Sequence, residues 1–482
     1  MSQIDRGATP KAATPEAAAD SSAAFAEFLA EIRFRDLPEE VVQVSRRGIV
    51  DTIGVILAGS GTESVAAILR MLTRWGGTPE AGVFGSSLRL PAVAAGFANA
   101  AMAHQYDFDD THDQAVVHPT ANSLTAALAA AEARGGCSGE DLLRAVVLGN
   151  EIACRLGLAI RGDLYDYPWT RPPVIGTFGA VAAASAILGL DPARTRSAFG
   201  LTLHQACNTL ECLYAPGSEV RGLRDGFSVR NALTAAFMAA EGVQADHSAI
   251  DGRFGLFNAF FRGEYDRPGL TEGLGSRYAA ADVSIKPWPS ARETHATIHA
   301  VLDLRRRHAI DPAAVAQVEL TVGRANLEFC EPGAQRRRPR SKMDALSSLP
   351  FAVAVALRHG AVPLQAYRAD ALGDAATLAL ADRVSWALDP AIREGTIEGG
   401  RVRIVLADGR AFETAARHAF GHPGQPLPPD ILARKFRDCA AMAATPPDEG
   451  RIDGLLQVLA NLEGRPVGDL VDALQWGEAS RG

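Results

Sequence analysis

The chain is short of aromatic residues, of cysteine and of positive charge. Six cysteines are scattered with no CxxC pair and no metal-ligand rhythm. Neither a disulfide framework nor a zinc site is expected, and buried thiols in a reducing cytoplasm are the simple expectation. The net charge of −8 excludes the basic face that a nucleic-acid partner requires. No window holds about 20 strongly apolar residues, the length of a membrane span. Val174 to Leu190 comes nearest, but it is rich in Ala and Gly. Residues 1–20 lack a basic stretch followed by an apolar core, so a disordered tail is expected there and not a signal peptide.

What is present is 47% hydrophobic residues in 482, too long a chain for one simple core. From Ala24 to Arg262 the pattern is helical. Pro38 near the start and Gly59 at the end bound one helix. A Ser138-Gly139-Glu140-Asp141 cap precedes Leu142 to Ile160, and Gly189-Leu190-Asp191-Pro192 stops one helix and starts the next. The Ala-rich segments 94–103, 121–133 and 180–188 are thin and permit close packing. After Pro268 strands appear: 315–322 alternates from Val318 onward, and 400–414 reads as a hairpin about Asp408-Gly409. Helical character returns after Pro428. The expected fold is therefore mainly α: a large helical domain (21–268 and 425–482) with a smaller α+β lid domain (269–424) inserted into it.

Between Ala-rich helices, residues 104–118 gather four aspartates (Asp107, Asp109, Asp110, Asp113) and three histidines (His104, His112, His118). Such density points to metal binding or proton transfer more than to capping alone. If helical, Asp107, Asp110 and Thr111 share a face. His118 precedes Pro119 at an expected helix start, where the dipole keeps an imidazole neutral and able to accept a proton. Within this segment no i, i+4 histidine pair supports a metal. Asp107-Phe108-Asp109-Asp110 also fits the acid motif of helical terpene cyclases, but those need aromatic-lined cavities, and aromatics are only 6% here. Two further segments carry cations. Gly217 to Gly226 holds Arg221 and Arg224 and reads as a loop able to wrap a carboxylate before a helix at Gly226. Ser284 to His295 holds Lys286 in a proline-stiffened stretch, placed to bind a carboxylate or donate a proton. The run Arg336-Arg337-Arg338-Pro339-Arg340 is expected to be a solvated surface charge.

These segments resemble the MmgE/PrpD family. Asp107-Phe108-Asp109-Asp110-Thr111 with His118-Pro119 is similar to its hallmark. Gly176-Thr177-Phe178-Gly179 before an Ala-rich helix, Lys286-Pro287-Trp288-Pro289 with His295, and Ser348-Leu349-Pro350-Phe351 resemble its later blocks. The family includes 2-methylcitrate dehydratase, cis-aconitate decarboxylase and iminodisuccinate epimerase. The resemblance implies a homodimer without metal or organic cofactor, acting on a small polycarboxylate. Asp107, His118 and Lys286 are then expected to be catalytic, with His118 poised by Asp107. His104, Thr111, Thr170, Arg221, Arg224 and His295 are expected to bind substrate, and Asp109, His112 and Asp113 to be structural. Thr170, Arg221 and Phe351 stand where decarboxylase members carry histidine, lysine and tyrosine. The activity expected is a hydro-lyase of the 2-methylcitrate dehydratase type; decarboxylation, epimerisation and an inactive carboxylate-binding member are the alternatives.

Overall fold

The computed structural model describes residues 20–162, 166–392 and 399–477. Residues 1–19 of the expected tail lie outside that set. The fold is mainly α, with one four-stranded sheet and two ladders of two residues per strand.

Capping signals set several helix ends. Ser138 Oγ accepts from the Asp141 N–H (3.1 Å) and opens the helix Gly139–Ala159. Gly189, at φ 66°, ends Arg171–Leu188 in the left-handed conformation that favours glycine. Asp191 then accepts from the Arg194 N–H (2.9 Å) and starts Pro192–Leu203. Two helices begin earlier than expected. Gly176 to Gly179 lies inside Arg171–Leu188, because Pro172 and Pro173 fill a first turn that needs no intrahelical N–H. The arginine segment is likewise no loop: Val220–Ala240 starts ahead of Gly226 and carries Arg221 and Arg224 in its first turns.

The small residues allow the helices to touch through backbone. A Cβ on Gly179 would stand 2.9 Å from both the Gly149 carbonyl oxygen and Ala153 Cβ. Arg171–Leu188 is long and apolar enough to cross a membrane, yet 94% of it is buried among its neighbours.

The sheet runs Val384–Leu388, Val315–Val322, Gly400–Leu406, Ala411–Ala416. The hairpin forms as expected, with Gly409 at φ 85° in its turn. Val384–Leu388 pairs parallel with Val315–Val322, Val318 opposite Val384, and is too short a run to stand out in the sequence. The arginine run is solvated only in part: Arg338 and Arg340 are exposed, but the first two arginines are held by the fold. Arg336 is buried and donates to the Glu331 and Glu328 carbonyls (2.9 Å each), and the Arg337 guanidinium lies 4.4 Å from the Trp386 ring centre.

Two main apolar cores result. One takes helices from Ser21 to Ala240 together with Phe436, Leu455 and Leu474 from the C-terminal helices. The other packs the sheet against His295–Arg307 and Leu349–His359. Between them, Thr111–His112 pairs antiparallel with Val283–Ser284. Asp113 adds a fork to Arg292, 2.9 Å to Nε and to Nη2, and accepts from Ser284 Oγ (2.7 Å). These bonds fix the acidic segment against the Lys286 segment.

Gly179→Val should overpack the helix contact and cost about 1–3 kcal/mol, read as a lower urea midpoint at unchanged m-value.

Candidate active site

A cavity lies between the two cores. Its wall includes Asp107, Thr111, His118, Thr170, Arg171, Arg221 and Arg224, and, from the other side, Arg292, Glu293 and Phe329. Three long helices present their N-terminal ends to it. His118 is the N-cap of Pro119–Ala133, Thr170 that of Arg171–Leu188, and Arg221 sits in the opening turn of Val220–Ala240. Unsatisfied N–H groups and dipoles at such ends favour an anion.

The acidic segment is not helical. Residues 104–110 form turns, and Asp107 adopts φ 46°, a conformation Asp tolerates better than most residues. That turn aims the Asp107 carboxylate between two cations, Lys286 Nζ at 2.5 Å and Arg221 Nη2 at 2.7 Å. Lys286 also donates to the Asp107 carbonyl oxygen (2.9 Å). Burial opposes the charge on Asp107, but Lys286, His104 and Arg221 together hold its carboxyl well below the usual range.

The carboxylate beside His118 is that of Asp109, not the Asp107 expected to poise it. His118 Nδ1 lies 3.1 Å from Asp109 Oδ2 and donates to the Asp110 carbonyl oxygen (2.9 Å). Both neighbours are acceptors, so Nδ1 carries the proton and Nε2 is left for substrate. His104 Nδ1 donates to the other Asp109 oxygen (2.8 Å), and the two rings meet edge to face at 4.8 Å. Burial works against ionised Asp109, yet the two imidazoles hold it well below the usual carboxylate range. His104 itself is lowered by burial and by Arg224.

Asp110 behaves oppositely. Burial, with Asp51 and Asp109 nearby, pushes it up to about 8 against its bonds from Thr120. Behind it, Lys435 Nζ donates to the carbonyls of Phe108 and Lys286 (2.8 Å each) and lies 2.6 Å from Asp51 Oδ1. One buried ammonium thus clamps the two segments that carry Asp107 and Lys286.

Of the residues expected at the site, Asp107, Thr111, His118, Thr170, Arg221 and Arg224 line the cavity. His104, Lys286 and His295 do not. Lys286 is spent on Asp107, whose carboxylate draws it away from the cavity. His295 Nε2 bonds to the Ser290 carbonyl oxygen (3.2 Å), and burial with Arg292 and Lys286 nearby holds its ring well below the usual histidine range. Phe351 packs edge-on to Tyr367, 6.1 Å between centres, and the aromatic wall of the cavity is Phe329 with Trp169. Arg171, Glu293 and Lys435 were missed. For Arg171 the Thr-Arg-Pro-Pro helix start was the available signal, and Glu293 lies within the Ser284 to His295 segment that carries Lys286. Nothing in sequence marks Lys435.

Arg224 is the group most plainly prepared for a ligand. It is 1% exposed, and its Nε and Nη2 have no acceptor among the described residues. A buried guanidinium without an anion is costly unless a ligand supplies one. A larger cleft of about 800 Å³ near Trp288 and His299 offers less chemistry, since its Asp303 already pairs with Arg306 (3.0 Å) and Arg307 (2.7 Å).

Two trios, His104–Asp107–His118 and His104–Asp109–Asp225, bring potential metal-ligand atoms within 4.8 Å of one another. The charges argue against a dication in the first. Lys286 and Arg221 already compensate Asp107, and a divalent ion would meet both at short range.

Fold and site together define a mainly α protein with a buried acid–base cluster beside an anion-binding wall. Residues 23–268 match the MmgE/PrpD N-terminal domain and residues 288–461 the MmgE/PrpD C-terminal domain; the chain belongs to the MmgE/PrpD family. It is 27% identical to the cis-aconitate decarboxylase of Homo sapiens over 455 residues, covering 91% of each chain. It is 26% identical to the cis-aconitate decarboxylase-like protein oryM of Aspergillus oryzae, over 87% of this chain and 90% of that one. Identity to the cis-aconitate decarboxylase of Aspergillus terreus is 25%, over 94% of this chain and 96% of the relative.

Asp110→Asn should remove a pH-dependent cost of folding. A carboxyl raised in the folded state stabilises it below the unfolded pKa and loses that contribution as pH rises through about 8. The variant's thermal melting should therefore gain on wild type as pH rises from about 4 to about 8, and the difference should level off above that value. Equal pH dependence of the two proteins would contradict the assignment.

Proposed function

We propose that the protein is a cofactor-free lyase acting on a small di- or tricarboxylate, and that its reaction is a hydro-lyase step of the 2-methylcitrate dehydratase type. The observation that carries this reading is Arg224, a buried guanidinium with unused N–H groups facing the same cavity as His118. A substrate carboxylate satisfies Arg224 and the helix N-termini. That contact also offsets the charge that develops when a proton leaves the adjacent carbon. His118 Nε2 is the base, and the negative charge of Asp109 stabilises the imidazolium formed. Asp107, clamped by Lys286 and Arg221, shapes the wall and stays ionised throughout. The cavity's burial excludes water from the carbanion.

A second reading, decarboxylation, draws on the names of the relatives in Homo sapiens and Aspergillus. Against it stand two groups that cannot serve as a proton relay at the wall. Thr170 Oγ1 already donates to the Thr209 carbonyl oxygen (2.9 Å), and Phe351 carries no exchangeable proton.

Incubation in D₂O with methylcitrate, citrate, cis-aconitate and aspartate-derived acids, followed by NMR, separates these reactions. Loss of water from a hydroxy-acid is the expected result. CO₂ release from cis-aconitate without dehydration of any hydroxy-acid favours the second reading. Asp109→Asn should lower turnover by about 10²-fold or more, because the imidazolium loses its counter-charge. An active Asp109→Asn protein would remove His118–Asp109 from the mechanism. EDTA treatment should leave the rate unchanged, since Lys286 and Arg221 disfavour a dication at Asp107; a rate restored only by added metal would overturn the cofactor-free reading and point to the His104–Asp109–Asp225 group.

A further inference from the structure

An elimination needs two proton positions, and the base accounts for one. The second must deliver a proton to the departing hydroxyl from the cavity wall. Asp107 is excluded, because Lys286 and Arg221 hold it ionised. Lys286 is fully buried behind Asp107 and does not reach the cavity. Thr170 is committed to a backbone carbonyl, and the guanidinium groups do not give up protons at neutral pH. Asp109 and Asp110 do not line the cavity.

Glu293 remains. It lies in the short turn Arg292–Thr294, is 8% exposed, and lines the cavity with His118. It enters none of the ion pairs among the described residues. We infer that Glu293 is the general acid of this site, a catalytic residue that protonates the leaving hydroxyl. The inference rests on the hydro-lyase reading above. In the step, His118 Nε2 takes a proton from the carbon next to the carboxylate, and the electron pair forms the new C=C bond. The C–O bond breaks, and the Glu293 carboxyl proton passes to the departing oxygen as water forms. Glu293 is then a carboxylate and His118 an imidazolium; proton exchange with solvent restores both.

The surroundings suit that task. Burial raises the Glu293 carboxyl, Arg221 and Lys286 act against the rise, and Asp107 adds to it. A carboxyl whose charged form is disfavoured keeps its proton to higher pH than an ordinary glutamate, which suits a donor.

The test is Glu293→Gln in the full-length protein, with Glu293→Asp beside it. Two rates are read by NMR in D₂O on the hydroxy-acid that wild type dehydrates: exchange of the substrate C–H proton, and elimination. Exchange needs only the base; elimination needs both groups. Glu293→Gln should lose about 10²–10³-fold in elimination while still exchanging the C–H proton. Its residual rate should lack the fall at high pH that wild type shows as Glu293 ionises, and Glu293→Asp should recover part of the activity. Wild-type elimination by Glu293→Gln overturns the inference. So does joint loss of exchange and elimination, which assigns Glu293 to holding the site in place. A wild type that neither exchanges nor eliminates with any acid overturns the functional reading itself, and this inference with it.

Discussion

The buried charge on Asp107 is the constraint on which the site depends. A carboxylate at 1% exposure is tolerable only with cations supplied by the fold, and here they come from two distant segments. Lys286 approaches from the stretch after Val283–Ser284, and Arg221 from the start of Val220–Ala240. One ionic contact therefore joins the acidic segment, the long helix and the junction between the two apolar cores. Losing one partner of such a pair costs about 3–5 kcal/mol, because the remaining charge stays buried. Lys435 repeats the logic at the backbone level, bonding the carbonyls of Phe108 and Lys286 at once. Geometry at the cavity is thus set in part by Lys286 and Lys435, which do not reach it.

Three aspartates within four positions meet three different surroundings, which keep two of them ionised and push the third toward neutral. Asp107 faces Lys and Arg and stays ionised. Asp109 faces two imidazoles and stays ionised as well, but its charge is available to a histidine that gains a proton. Asp110 meets Thr120 and two other carboxyls and is pushed toward its neutral form. Proton transfer is easier to control when neighbouring carboxyls do not compete for one proton. The turn at Asp107 makes this division possible. In a helix Asp107 and Asp110 would have shared a face and an environment.

The sequence carried the helical character, the hairpin and the segments that meet at the site. These rest on local signals: Ser138, Gly189 and Asp191 at helix ends, Asp408-Gly409 at the turn, and the density of Asp and His between Ala-rich helices. It misassigned what depends on pairing across the fold. Nothing local distinguishes Asp109 from Asp107, since the choice is made by where Lys286 and Arg221 arrive. Lys286 looked like a substrate ligand because a lysine in a rigid loop has no visible partner until the acidic turn is placed against it. Arg336 looked solvated because the Glu328 and Glu331 carbonyls that hold it are accessible only once that short segment folds back. Glu293 was overlooked for a related reason: its distinguishing property is the lack of an ion pair among the described residues, which is a fact about space and not about spacing.

Charge balance at the wall narrows what the cavity can accept. Arg292 is neutralised by Asp113, whereas Arg221 and Lys286 share the one carboxylate of Asp107 and leave a single net positive charge there. Arg224 has no carboxylate within ion-pairing distance among the described residues, and the three helix N-termini add partial positive charge around it. A substrate with one carboxylate beside the reacting carbon satisfies Arg224, and further carboxylates gain from the helix ends. A neutral substrate would leave Arg224 buried and unpaired, a cost that selects against it as firmly as any attractive contact selects for an acid. The same arithmetic bears on the reaction. Once the proton moves to His118, the new negative charge on the substrate lies between Arg224 and an imidazolium backed by Asp109. The transition state is then better balanced than either the empty site or the bound ground state.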